Sequence, residues 1–220
     1  LRTSCQRTAS PSYTVTKVWC VPSSGNRRAP IARCPGARAS AACHARPTAV
    51  SDFWATCPEL LAGKDLQQGG TWMGVTRSGR FAAVTNYRDP SQSAIAPRSR
   101  GELPVAYLTG SQDPETFLKK VASMARDYSG FNLLVGDRRH LWYFTNSDGM
   151  DPQRLPPGVY GLSNARLDTP WPKVELGKAR MLALLQAGPI SHSALATVVT
   201  DRRLADQRTL SGHGLDGSME

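Results

Sequence analysis

Trp72-Met73-Gly74-Val75-Thr76-Arg77-Ser78-Gly79-Arg80-Phe81-Ala82-Ala83-Val84-Thr85-Asn86 is two alternating runs joined by a polar turn that contains a glycine. Side chains of a strand point alternately to its two faces, so runs of this kind on either side of a Gly-containing turn predict a β-hairpin. A second hairpin is predicted downstream, with Phe131 to Gly136 as its first strand. Asp137-Arg138-Arg139 is the turn and the aromatic-rich His140 to Thr145 the return strand. Gly158 to Leu162 reads as a fifth strand.

Helices are predicted between and after these strands. Asp113 before Pro114 and Glu115 is a strong start: a side-chain acceptor, a residue preset for the first turn, and an acid at the positive end of the helix dipole. Phe117, Leu118, Val121 and Met124 or Ala125 then share one face, and Gly130 closes the segment. Thr169-Pro170 opens a second helix whose stripe of Val174, Gly177, Met181, Leu184 and Leu185 ends at Gly188-Pro189. A shorter one begins at Ser191, with Leu195, Val198 and Val199 facing inward. The order hairpin, helix, hairpin, strand, helix, helix predicts an α+β architecture of antiparallel strands with helices on the outer faces.

The 220 residues suffice for a sizeable core, while 40% apolar residues with 19 Gly and 16 Pro indicate a globular body carrying irregular segments. No run is long enough to span a membrane. The net charge of +10 is uneven: residues 1–51 hold eight Lys or Arg and no acid, and the rest is nearly balanced. A nucleic-acid-binding protein places its basic residues on a structured face, so this distribution argues against nucleic acid as a partner. Cys5, Cys20, Cys34 and Cys43 lie in the same basic stretch and match no zinc spacing. The body, with Cys57 alone, reads as intracellular and cytoplasmic, with a mitochondrial placement as the alternative should the basic stretch be a targeting segment.

Residues 1–43 lack hydrophobic periodicity and are expected to be disordered. Three origins fit: a targeting segment, a basic arm that touches RNA or anionic lipid, or a GC-rich stretch translated out of its reading frame. Pro at 11, 22, 30 and 35 breaks the amphipathic helix a targeting segment needs. The body is expected over 44–205, with a disordered tail over 206–220.

Within that body, His44-Ala45-Arg46-Pro47-Thr48, Phe53-Trp54, Leu61-Ala62-Gly63-Lys64-Asp65 and Gly69-Gly70-Thr71-Trp72-Met73-Gly74 recur in order with Ala83-Val84-Thr85-Asn86-Tyr87-Arg88. Arg98-Ser99-Arg100-Gly101-Glu102-Leu103, Gly130-Phe131-Asn132-Leu133-Leu134, Gly158-Val159-Tyr160-Gly161-Leu162-Ser163-Asn164 and Asp168-Thr169-Pro170-Trp171-Pro172-Lys173 follow. Together these strings resemble the NRDE family, also called the transport and Golgi organisation 2 family. The resemblance implies a four-layer αββα fold like that of the N-terminal-nucleophile hydrolases, incomplete in this chain. In those enzymes an amino-terminal Cys attacks an amide carbonyl with its own α-amino group as base. The family's Asn-Arg-Asp-Glu-Phe string is replaced here by Ala39-Ser40-Ala41-Ala42-Cys43. No cysteine stands at the amino terminus, and the late Tyr-Gly-Thr-Arg motif is not reached. The chain as written is therefore expected to be catalytically inactive.

By analogy with related Cys amidases, Asn86 and Asn164 are candidate oxyanion donors, each at a strand end where an Asn also serves as an ordinary turn residue. Trp72, Tyr87, Arg88 and Trp171 are candidate substrate-binding residues, against their more ordinary roles as core aromatics and ion-pair partner. Trp142 and Arg100 are further candidates of the same kinds. His44 and His140 lack partners at ligand spacing, so no metal is expected, and no cofactor is assigned. Gly69, Gly70 and Gly74 are expected to permit tight strand entry. Two functions follow from the resemblance: hydrolysis of non-peptide C–N bonds, or non-catalytic binding of a hydrophobic ligand such as haem or a lipid, linked to Golgi, endomembrane or mitochondrial organisation.

Overall fold

The computed structural model describes residues 17–21, 47–87 and 96–199. His44, Arg46, Arg88, the 206–220 tail and most of residues 1–43 lie outside them, as does the side chain of Val199. The chain forms β1 (Lys17–Val21), β2 (Thr48–Trp54), β3 (Cys57–Asp65), β4 (Met73–Thr76) and β5 (Phe81–Asn86). Helices α1 (Glu102–Thr109) and α2 (Pro114–Ser123) come next, then β6 (Phe131–Gly136), β7 (Leu141–Thr145), β8 (Gln153–Leu155) and β9 (Gly158–Leu162). Two helices, α3 (Pro172–Ala187) and α4 (His192–Val199), complete the described body.

Strands β2 to β8 make one seven-stranded antiparallel sheet in sequence order, and β1 pairs with β9 in a separate ribbon. Both predicted hairpins are present. In the first, Met73 faces Ala83 and Val75 faces Phe81 across a turn closed by Gly79 N–H donating to the Thr76 carbonyl at 3.0 Å. In the second, Asn132 faces Thr145 and Leu134 faces Tyr143. The α+β reading is borne out.

Alternation divides the buried residues into two cores. On one face of the large sheet, Leu60, Ala62, Ala82, Val84, Leu133, Val135 and Phe144 pack against Leu103, Tyr107, Leu108, Phe117, Leu118 and Val121 of α1 and α2. On the other face, Phe81, Ala83, Leu134, Tyr143 and Leu155 pack against Leu162 of the ribbon, with Tyr160 and Leu167 beside it. The layers run helices, large sheet, ribbon, helices. Each fully buried Leu contributes about 2 kcal/mol relative to exposure. The side chains of α3 pack so closely on β9 at Gly161 that a Cβ there would sit 2.5 Å from Val174 Cγ1.

Four differences from the sequence reading have physical reasons. Lys17–Val21 pairs with β9 in unbroken register, although no element is expected before residue 44. Val18, Trp19 and Val21 are β-prone, but they sit in a basic, Pro-rich stretch that hides them. Helix α2 ends at Ser123, not near Gly130, because Met124 (φ −116) leaves helical geometry and a 3-10 turn at Ala125–Asp127 follows. Helix α3 starts at Pro172 with Trp171 as its N-cap, since Thr169 instead donates its hydroxyl to the Arg166 carbonyl at 2.9 Å. Trp72 lies in the bend before β4 rather than in the strand. That bend is entered through Gly69 at φ +72, which fits the expectation for this glycine.

Candidate functional site

The site is built on the end of the large sheet where β5 finishes. Thr85, Asn132 and Thr145 stand side by side across β5, β6 and β7, on the face toward the ribbon. Asn132 is completely buried, so its amide must find partners inside the protein. Its Nδ2 donates to the Ala165 carbonyl at 2.9 Å and to Thr85 Oγ1 at 3.3 Å. Its Oδ1 accepts from Tyr143 Oη at 2.7 Å. Thr85 Oγ1 donates to the Ser163 carbonyl at 3.2 Å, and Tyr143 Oη accepts from Leu167 N–H at 3.2 Å. Three side chains of one sheet thus bind residues 163, 165 and 167 of the loop that leaves β9. Burial pushes the Tyr143 hydroxyl up to about 12, with the Leu167 N–H acting the other way, so it is a protonated donor at neutral pH.

The far end of the same loop is closed by Asp168. Its Oδ1 accepts from Gly161 N–H at 2.7 Å and from Lys178 Nζ at 3.0 Å, and its own N–H donates to the Gly161 carbonyl. Asp168 holds φ +58 to do so, a conformation an Asp tolerates at modest expense because its short side chain bonds locally.

Asn164 sits within this loop. Its Nδ2 donates to the Asn86 carbonyl at 3.1 Å, which joins the two predicted donor residues across the gap between sheet and ribbon. The contact uses the Asn86 backbone. Asn86 pairs with Phe131, whose ring lies in the core under the helices, so the alternation sends the exposed Asn86 side chain to the opposite face from Asn164. Tyr87 N–H donates to the Gly130 carbonyl at 2.9 Å, and Arg100 Nη1 reaches that same carbonyl at 2.8 Å. Arg100 thereby braces the sheet end. Ser147 and Ser163 have buried hydroxyl oxygens with no partner among the described residues.

The predicted aromatics separate. Trp72 is 41% exposed at the strand entry, with its ring over Gly63. Trp171 belongs to the outer helical layer, where Lys173 Nζ lies 4.9 Å from its ring centroid. Trp142 packs beneath the helices. Cys57 begins β3, at the end of the sheet opposite Asn86. Among the described residues no three His, Cys, Asp or Glu side chains gather to hold a metal, and no helix is long and apolar enough to cross a membrane.

Residues 42–213 match the model of a family described as Transport and Golgi organisation 2. The chain belongs to that family. Similar proteins include the bovine Transport and Golgi organization protein 2 homolog, 40% identical over 151 residues, or 65% of this chain and 54% of the bovine one. The mouse homolog is 38% identical over 165 residues, 71% of this chain and 59% of its own. The human homolog matches at 40% with the same coverage as the bovine protein. The chain spans little more than half the length of these relatives. In this Transport and Golgi organisation 2 chain, the sequence reading missed Thr85, Asn132, Tyr143 and Ser163 as site residues. The one signal for them was Asn132, a lone amide in the apolar run Phe131–Val135.

Proposed function

We propose that this body is the scaffold of a Cys-type amidohydrolase of the N-terminal-nucleophile class, acting on non-peptide C–N bonds. The reading is carried by Asn164. One N–H of its amide is anchored on the Asn86 carbonyl at 3.1 Å, which leaves the second N–H of the same nitrogen pre-aimed for an oxyanion. Asn86 then contributes chiefly its carbonyl. The layering of sheet on ribbon between helices is compatible with this class and supports the reading. Cys57 lies at the other end of the sheet, so the nucleophile in this reading is the amino-terminal cysteine of a full-length family protein. In the reaction the thiol gives its proton to the α-amino group as sulfur bonds to the carbonyl carbon. That proton passes to the departing amine as the C–N bond breaks, and water then hydrolyses the thioester.

The test is amine release from a panel of short N-acyl amides by a full-length family protein carrying its amino-terminal cysteine. Turnover is expected, and Asn164→Ala should lower kcat about 100-fold or more with little change in KM. No turnover of any amide, or an unchanged kcat in the variant, sinks the reading. A second reading, a carrier of a hydrophobic ligand such as haem or a lipid, is favoured by exposed Val50, Leu66 and Trp72 near the β2 edge. It requires that ligand binding survive Asn164→Ala and weaken in Trp72→Ala.

A further inference from the structure

We infer that Asn132 and Tyr143 are positioning residues for Asn164, acting through a buried clamp that grips its loop on both sides. Asn164 itself makes a single bond to the sheet, to the Asn86 carbonyl. Its neighbours add three more anchors: Ser163 to Thr85 Oγ1, Ala165 to Asn132 Nδ2, and Leu167 to Tyr143 Oη. All three holders come from adjacent interior strands of the seven-stranded sheet, β5, β6 and β7. The clamp is closed within itself. Both N–H groups of Asn132 are used and its Oδ1 accepts from Tyr143, while Thr85 and Tyr143 each donate once and accept at least once.

A fully satisfied buried network of this kind fixes geometry, because any slip of the loop leaves several polar groups unpaired at once. An apolar sheet face would cover the loop equally well without selecting one position for it. The polar row lies only where the loop crosses, since the next row along the same face is Ala83, Leu134 and Tyr143, and the one after it holds Phe81 and Leu141. An oxyanion donor needs such support, because one displaced by a fraction of an ångström no longer meets the charge that develops in the transition state.

The catalytic half of this inference rests on the amidohydrolase reading above; the structural half does not, and one experiment separates them. Tyr143→Phe removes the acceptor for Leu167 N–H and the donor to Asn132. Tyr107→Phe is the matched control, since Tyr107 is likewise buried and donates to the Gly136 carbonyl at 3.0 Å from the opposite face. In this chain, amide exchange of Leu167 and its neighbours should speed up about tenfold in Tyr143→Phe and stay unchanged in Tyr107→Phe. In a full-length family protein, Tyr143→Phe should lower kcat about tenfold with KM held, and Tyr107→Phe should leave both unchanged. Should Tyr143→Phe fail to fold, Thr85→Val removes the bond to Ser163 at nearly constant volume and is read by exchange at Asn164. Faster exchange without amide turnover in any variant keeps the clamp and removes the hydrolase reading. Unchanged exchange at the loop, or an equal change in the control, overturns the clamp.

Discussion

The two faces of the seven-stranded sheet are made by the same strands yet differ in kind. Toward the helices, the buried residues of β5, β6 and β7 are Ala82, Val84, Phe131, Leu133, Val135 and Phe144, all apolar. Aromatic pairs reinforce them, with Tyr107 and Phe117 centroids 5.1 Å apart and Phe131 and Phe144 at 5.8 Å. Toward the ribbon, the same strands present Phe81, Ala83, Leu134 and Tyr143 and then a polar row of Thr85, Asn132 and Thr145. The first face is apolar along all three strands. The second gives up apolar area at one end, and a loop carrying Asn164 lies at that end.

The sharpest way to break this comparison is a pair of truncations on neighbouring residues of β6. Leu133 and Leu134 are both fully buried but point to opposite faces. Leu133→Ala and Leu134→Ala should each destabilise by about 3 kcal/mol in urea denaturation. A value for Leu134→Ala below half that of its neighbour would show that the ribbon covers its face loosely. The next largest effect is expected from Asn132→Leu, which keeps the volume and makes the core more apolar. Thr85, Tyr143 and the Ala165 carbonyl would each lose a partner, so a loss of about 2–3 kcal/mol is expected. Neutral or improved stability would mean that water reaches these groups.

How far each face is legible in the sequence follows from the range of the interactions that define it. The hairpins at Thr76–Phe81 and Gly136–Leu141 are written locally, in alternation and turn residues, and both are predicted. So is the start of α2 at Asp113-Pro114. Helix α1 is not: Pro104 sits within it, Gly101 offers no side-chain cap, and its composition gives no clear stripe. The β2–β3 hairpin escapes because Pro58, Ala62, Gly63 and Lys64 are weak strand formers. Asn86 and Asn164 both stand out as amides at strand ends, and they do meet, but which atoms meet depends on strand register. The clamp needs more still: Thr85, Asn132 and Tyr143 come from three strands, and only their pairing puts them around one loop. Strand β1 is placed only by its partner, since its own neighbourhood reads as unstructured.

Alkaline titration sharpens the comparison further. Burial raises both Tyr107 and Tyr143 to about 12 from the ordinary value of 10. Because the folded state holds these protons more tightly, each contributes stability that is complete below pH 10 and is lost as pH rises from 10 toward 12, about 2 kcal/mol per hydroxyl. Each Tyr→Phe variant should lose its own share of that pH dependence. Only the Tyr143 step should coincide with faster exchange in the Asn164 loop, as hydrogen exchange followed by mass spectrometry would show. If deprotonation of Tyr107 loosened the loop equally, the two faces would not be separable.

The smallest expected effect tests whether the faces are independent when the perturbation is purely local. Asp113 caps α2: its Oδ1 accepts from Thr116 N–H at 3.0 Å, from an extended backbone with Pro114 in the first turn behind it. Hydrogen bonds from Thr116 hold the carboxyl below its usual range, so the folded state favours the charged form. Its contribution is present above the ordinary carboxylate value and fades as pH falls through the lowered one. Asp113→Ala should destabilise by about 1 kcal/mol at neutral pH, measured by urea denaturation, and by less in acid. Helix α2 touches β6 and β7 from the apolar side only. The substitution should therefore leave exchange at residues 163–167 at its wild-type rate, because the cap bonds to Thr116 on one face of the sheet and the clamp lies on the other. Faster exchange there would mean that the sheet transmits the change, and that the donor loop is set by both faces together.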